Sequence, residues 1–186
     1  KQKTAYEITS GDWSSDVCSS DLFITADTSR NEMVQHVYDI TYGTVRPGTD
    51  TLVVIDDSIV RGTTLKESII RMLGRLEPKK IIIVSSAPQI RYPDCYGIDM
   101  SKMGDFVAFR AAIALLKERK QESLLTELLE RCRELERENN LDKENLVRQV
   151  YKPFTLDELS QKIAALVTPE NFSIPVEVIF QKIETL

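Results

Sequence analysis

The sequence predicts an α/β protein built on a parallel sheet, and three features carry that prediction. Thr51-Leu-Val-Val-Ile55 and Lys80-Ile-Ile-Ile-Val-Ser85 are short β-rich apolar runs of the kind buried on both faces of a parallel sheet. An amphipathic stretch bearing Ile69, Ile70, Leu73 and Leu76 on one side separates them. Strand, loop, helix and strand then follow one another as a single right-handed βαβ unit.

The elements justify themselves in order. Phe23 to Thr44 carries a weak helical pattern at Met33, Val34, Val37 and Ile40. Arg46-Pro-Gly-Thr-Asp50 is turn chemistry, with proline presetting φ and glycine freeing it. The first strand leads into a polar loop, Asp56 to Thr64, and Pro78 is expected to end the helix behind it. Asp105 to Glu138 reads as one helical stretch. Leu124, Leu128, Cys132 and Leu135 lie at near-heptad spacing, a stripe too short for a long coiled coil and expected to pack on its own chain. Thr155 and Glu158 have capping-box spacing and open a helix to Val167, and Pro175 to Phe180 is a last short strand.

Composition bounds the function. The 186 residues hold 42% hydrophobic and 28% charged side chains, a globular balance, and a net charge of −5 speaks against broad nucleic-acid binding. No apolar run approaches the roughly 20 residues of a membrane helix, and no secretion signal is read at the start. Three cysteines, Cys18, Cys95 and Cys132, share no metal-type spacing and suit a reducing compartment, so a cytoplasmic location is expected. Gly11 to Leu22, GDWSSDVCSSDL, is a Ser/Asp-rich string without periodicity that reads either as a polar linker or, as we favour, as the translation of a sequencing adapter. Residues 1–22 are therefore taken as non-native and left out of the fold argument.

Chemistry concentrates in Val53 to Thr64, VVIDDSIVRGTT. Open α/β sheets place ligands at the carboxyl ends of their strands. The loop behind the strand offers successive backbone N–H groups, and a helix N-terminus adds partial positive charge, so a phosphate fits there. Gly62 lets backbone approach an anion, while Thr63 and Thr64 can donate hydroxyl hydrogen bonds. Asp56 and Asp57 alternate in direction, which suits two sugar hydroxyls and a Mg²⁺ ion. Any of these residues alone would pass for a turn or a helix cap; the combined string is much less often accidental.

VIDDSIVRGTT resembles the 5-phosphoribosyl 1-pyrophosphate (PRPP) motif of type I phosphoribosyltransferases, in the spelling of the amidophosphoribosyltransferase family. Ser85 to Met100, SSAPQIRYPDCYGIDM, is similar to the same family. The resemblance implies a partial type I phosphoribosyltransferase core with helical C-terminal elements: a PRPP-binding region over 23–118 and a helical region with a terminal strand over 119–186. It implies synthesis of 5-phosphoribosylamine, pyrophosphate and glutamate from PRPP, glutamine and water. Asp56 and Asp57 would be the catalytic and Mg²⁺-holding pair, and Ser58, Ile59, Val60, Arg61, Gly62, Thr63 and Thr64 would wrap the 5′-phosphate.

The family's amino-terminal glutaminase cysteine and its earlier pyrophosphate loop are not found here, so this is read as a C-terminal fragment that does not use glutamine alone. Ammonia would come from the missing glutaminase domain, purine nucleotides would inhibit, and the full enzyme would be a homo-oligomer. A PRPP-closing loop is expected within Phe23 to Tyr42, whose basic side chains are Arg30 and His36. The cysteine pair of the family's iron–sulfur members is missing, so no cluster is expected. The alternatives are a non-catalytic PRPP-sensing regulatory module, which would need a basic DNA-binding element, and another type I phosphoribosyltransferase, which has no reason to carry RYPDCYGIDM. His36 is expected to be a surface residue, Tyr92 and Tyr96 to pack at the sheet edge, and Cys95 to be inert. Arg91 is expected to meet a phosphate, Asp94 or Asp99.

Overall fold

The computed structural model describes residues 43–93, 100, 102–140 and 143–183. The expectations for residues 1–22, the closing loop over Phe23 to Tyr42, Cys95 and Tyr96 lie outside them. Strand β1 (Thr51–Asp56) is followed by helix α1, a π-helical turn (Leu65–Ile69) running into an α-helical turn (Ile70–Gly74). Strand β2 (Lys80–Ser85), a 3₁₀ turn (Met103–Asp105), α2 (Val107–Glu118) and α3 (Ser123–Arg137) come next. Short helix α4 (Arg148–Tyr151), helix α5 (Leu156–Val167) and strand β3 (Val176–Phe180) complete the described chain.

The sheet is parallel throughout, in the order β1-β2-β3. Leu52 pairs with Ile81 and Asp56 with Ser85; Ile83 pairs with Val178 and Ser85 with Phe180. The register decides what each face carries, because side chains alternate along a strand. Leu52, Ile81, Ile83, Val178 and Phe180 share one face and are buried beneath the helices. Complete burial of Ile81 and Ile83 stabilises the fold by about 1.5–3 kcal/mol each. The same core takes in Leu116 of α2 and Leu159, Ile163 and Val167 of α5.

Burial on both faces was expected for β1, and the structure corrects this. Val53 is 39% and Ile55 71% exposed, and Ile179, in the same row as Ile55 and Val84, is 44% exposed. A parallel strand is buried twice only where two helical layers flank the sheet, and the described residues supply one.

Two further corrections concern helices. The single stretch expected over Asp105 to Glu138 is two helices. The first ends in a Schellman motif: Lys120 adopts φ +55°, its N–H donates to the Lys117 carbonyl, and the Gln121 N–H donates to Leu116. Pro78 is not the terminator of α1, whose last helical residue is Gly74; the chain then closes through Leu76 N–H to Leu73 O and Glu77 N–H to Gly74 O, with Glu77 at φ +50°.

Other expectations match. The Arg46–Asp50 turn closes on itself, its Asp50 carboxylate accepting from the Arg46 amide and guanidinium. Thr155 and Glu158 form the reciprocal capping box at the start of α5, with bonds of 3.2 and 2.8 Å. Leu135 is buried, while Leu124 and Leu128 pack against the core, so the α3 stripe seals onto its own chain.

Candidate functional site

The acid pair stands where β1 runs out. Asp56 is its last residue, paired with the buried Ser85 and half-buried on the helix-covered side, and Asp57 follows on the exposed side. The alternation expected of them holds for the backbone, and the two carboxyls are near enough to influence each other's charge. Burial, then the neighbouring Asp57 carboxyl as hydrogen-bond partner and like charge, push Asp56 up to about 6. Asp57 Oδ1 also accepts from the Ser58 amide at 2.8 Å, which turns the chain out of the strand.

Two hydrogen bonds continue the β1–β2 ladder past its last pair. The Ser86 N–H donates to Asp56 O at 2.9 Å and the Ala87 N–H to Asp57 O at 3.0 Å; the Ser86 hydroxyl adds a 3.0 Å bond to Asp57 O. The peptide groups of both acids are thereby held by the shoulder after β2. Sequence reading did not single out Ser86 or Ala87. The signal was available in Ser-Ser-Ala-Pro directly behind an apolar strand, which leaves backbone donors beside the preceding strand's end.

Behind the acids the loop is anchored at its middle. Ile59 is 2% exposed, and the Val60 carbonyl accepts from the Val107 N–H at 2.8 Å, satisfying an amide at the start of α2. Arg61 reaches Asp105 at 3.8 Å. Gly62 adopts φ +72°, in the left-handed region, and its carbonyl accepts from Lys66 N–H. A Cβ at this position would stand 2.7 Å from Val167 Cγ1 of α5 and 3.5 Å from Val107 Cγ2, so the glycine is required twice, by conformation and by space.

The chain is helical from Thr63, with Thr63 exposed and Thr64 partly so, and no side chain caps the start at Thr64. A helix start leaves its first amides without intrahelical acceptors. The π turn that follows widens this helix next to the loop, with the Ile70 N–H reaching Leu65 O. Ser58 to Thr64 thus form one continuous bend beside the acid pair, at the carboxyl end of a parallel strand. The arrangement can receive an anion in the bend and a cation or hydroxyls on the acids.

The two carboxylates are oxygen donors of the kind Mg²⁺ takes when waters and substrate phosphates complete its shell. A divalent cation would also offset the cost of charge at Asp56, which burial first and the neighbouring Asp57 second make harder to ionise. No group of three or more His, Cys, Asp or Glu side chains converges as a metal cage among the described residues.

Arg91 has described contacts with two other residues. Its guanidinium donates to Gln89 Oε1 and lies 5.1 Å from the centre of the Tyr151 ring, while Asp94 and Asp99, the side-chain partners expected for it, lie outside the described residues. Tyr92 packs edge-on against Tyr151 with ring centres 5.9 Å apart, in keeping with a packing role.

No protein-family model matches the chain. Curated proteins do. The chain is 48% identical over 58 residues to the amidophosphoribosyltransferase of Pasteurella multocida and 47% identical over 57 residues to that of Escherichia coli; each match takes in 31% of this chain and 11% of the relative. Against the amidophosphoribosyltransferase of Schizosaccharomyces pombe it is 36% identical over 90 residues, 46% of this chain and 17% of the relative. The matches therefore span well under a fifth of those proteins' lengths. The sequence resembles amidophosphoribosyltransferases, and the parallel α/β architecture is consistent with a partial type I phosphoribosyltransferase core.

Proposed function

We propose that this chain is the PRPP-binding part of a cytoplasmic amidophosphoribosyltransferase, the enzyme that makes 5-phosphoribosylamine at the start of purine biosynthesis. The single observation that supports this best is the acid pair and glycine-threonine bend standing together at the carboxyl end of a parallel strand. Phosphate would sit in the bend from Ser58 to Thr64, while Asp56 and Asp57 would take ribose hydroxyls and the Mg²⁺ that accompanies the pyrophosphate. Mg²⁺ would supply charge neutralisation to the leaving pyrophosphate.

In this reading ammonia attacks the anomeric carbon as the bond to pyrophosphate breaks, with positive charge gathering on the sugar. The protein contributes position and electrostatics rather than a nucleophile. Ammonia would arrive from a glutamine-hydrolysing domain outside these 186 residues, and purine nucleotides and self-association would belong to the whole enzyme.

Calorimetric titration of PRPP with Mg²⁺ into the chain tests the reading. Saturable binding that is lost in Asp57→Asn and weakened about tenfold in Thr64→Ala, the loss expected of one charge-assisted hydrogen bond, supports it. Absence of Mg²⁺-dependent binding, or robust pyrophosphate release with glutamine from this chain alone, contradicts it.

A further inference from the structure

Helix α5 touches both walls of the candidate site from behind. At its first turn, the Gln89 amide donates to Leu156 O at 3.2 Å and to Ser160 Oγ at 3.0 Å. At its last turn, Val167 lies against Gly62 of the anion bend. The helix has 12 residues, a length of about 18 Å at 1.5 Å per residue. It therefore spans from the shoulder that holds the acids to the bend that would hold the phosphate.

Gln89 is the join on the acid side. It is 8% exposed, and its side chain is fully used: both donations go to α5, while Oε1 accepts from Arg91 Nε at 3.2 Å and Nη2 at 2.9 Å. The Arg91 carbonyl accepts from the Tyr151 hydroxyl of α4 at 2.9 Å, and Ser160 Oγ donates to Leu156 O at 2.8 Å. Two residues before Gln89 lies Ala87, whose N–H, with that of Ser86, grips the peptides of Asp57 and Asp56. A buried amide with every hydrogen bond satisfied fixes its segment because leaving any of them unmade is costly.

We propose that Gln89 and Ser160 are positioning residues: through them α5 sets where the Ser86–Ala87 shoulder holds the acid pair relative to the bend at Gly62. The functional importance of that spacing rests on the PRPP-binding reading above, whereas the bracing itself does not. Amide hydrogen exchange and PRPP titration on the same 186-residue chain separate the two.

Ser160→Ala removes two bonds, the one from Gln89 and the one to Leu156 O, and Gln89→Leu removes all four of the Gln89 side chain at similar volume. Each is expected to speed exchange of the Ser86 and Ala87 amides about tenfold or more, while Ile81 and Ile83 in the middle of β2 keep their protection. Mg²⁺-dependent PRPP affinity falls about tenfold in parallel, with the larger loss in Gln89→Leu, and Ser160→Thr, which keeps a hydroxyl, restores both readouts. Unchanged exchange at Ser86 and Ala87, or a uniform loss of protection through β2 and α5, overturns the bracing. If the unmodified chain binds no PRPP, the proposed function fails and the exchange pattern alone decides for or against the brace.

Discussion

Replacing Gly62 by alanine strikes the loop at the point where conformation and packing coincide. At φ +72° an L-residue costs about 1–2 kcal/mol relative to glycine. The new methyl would also stand 2.7 Å from Val167 Cγ1, closer than carbon atoms tolerate, and relieving such overpacking typically costs about 1–3 kcal/mol. Gly62→Ala should therefore lower stability by about 2–5 kcal/mol, a large share of the roughly 5–15 kcal/mol that holds a domain folded.

Urea unfolding measures the loss, and a double-mutant cycle with Val167→Ala divides it. Without Val167 Cγ1 the steric part disappears and the conformational part stays, so in that background Gly62→Ala should cost only about 1–2 kcal/mol, leaving a coupling of about 1 kcal/mol or more. A cost below about 0.5 kcal/mol in the unmodified chain, the range of neutral surface changes, would refute the reasoning. So would an equal cost in both backgrounds, which would place Val167 away from the glycine.

The remaining predictions follow from the acids and the helix that braces them. Asp56 titrates near 6 in the folded chain against an ordinary 3.8, so between those values the folded state holds the extra proton. Its contribution to stability is therefore present below about pH 4 and is lost as pH rises through about 6, by roughly 3 kcal/mol, and the falling limb should vanish in Asp56→Asn. The same substitution should stabilise the chain at pH 8 while abolishing Mg²⁺-dependent PRPP binding, because the carboxylate is held at a cost that only a bound cation offsets. For the unmodified chain, calorimetry across pH should show PRPP·Mg²⁺ affinity rising as pH passes 6, and a flat profile counts against Asp56 as a ligand-bearing group. Thr155→Ala removes the capping box of α5 and should lower the urea midpoint by the equivalent of about 0.5–2 kcal/mol.

What was legible without coordinates was what local chemistry encodes. Thr51 to Ile55 and Lys80 to Ser85 announce strands by their apolar β-branched runs, Arg46 to Asp50 a turn, and Thr155 with Glu158 a helix start. The string from Asp56 to Thr64 stands out as a candidate site because its glycine, hydroxyls and acids are neighbours in the chain. The break between α2 and α3 was hidden, since the left-handed residue is Lys120, and lysine carries no turn signal where glycine would. Nor could the run Ile81 to Val84 reveal that one row of the sheet, ending in Ile55 and Ile179, stays exposed. An apolar run records what can be buried, whereas burial itself depends on what packs there.

The sequence by itself determined the βαβ order and the parallel sheet class, and it put the acids and the bend of the candidate site side by side, because periodicity and turn chemistry act over a few neighbouring residues. Only the tertiary structure decided that burial beside Asp57 raises the Asp56 carboxyl, that Gly62 is confined by Val167, and that Gln89 ties the acid shoulder to α5. Those partners lie from about 70 to 105 positions apart in the chain, apart from the acids themselves, and it is burial and close packing after folding that give such distant groups their effect on one another.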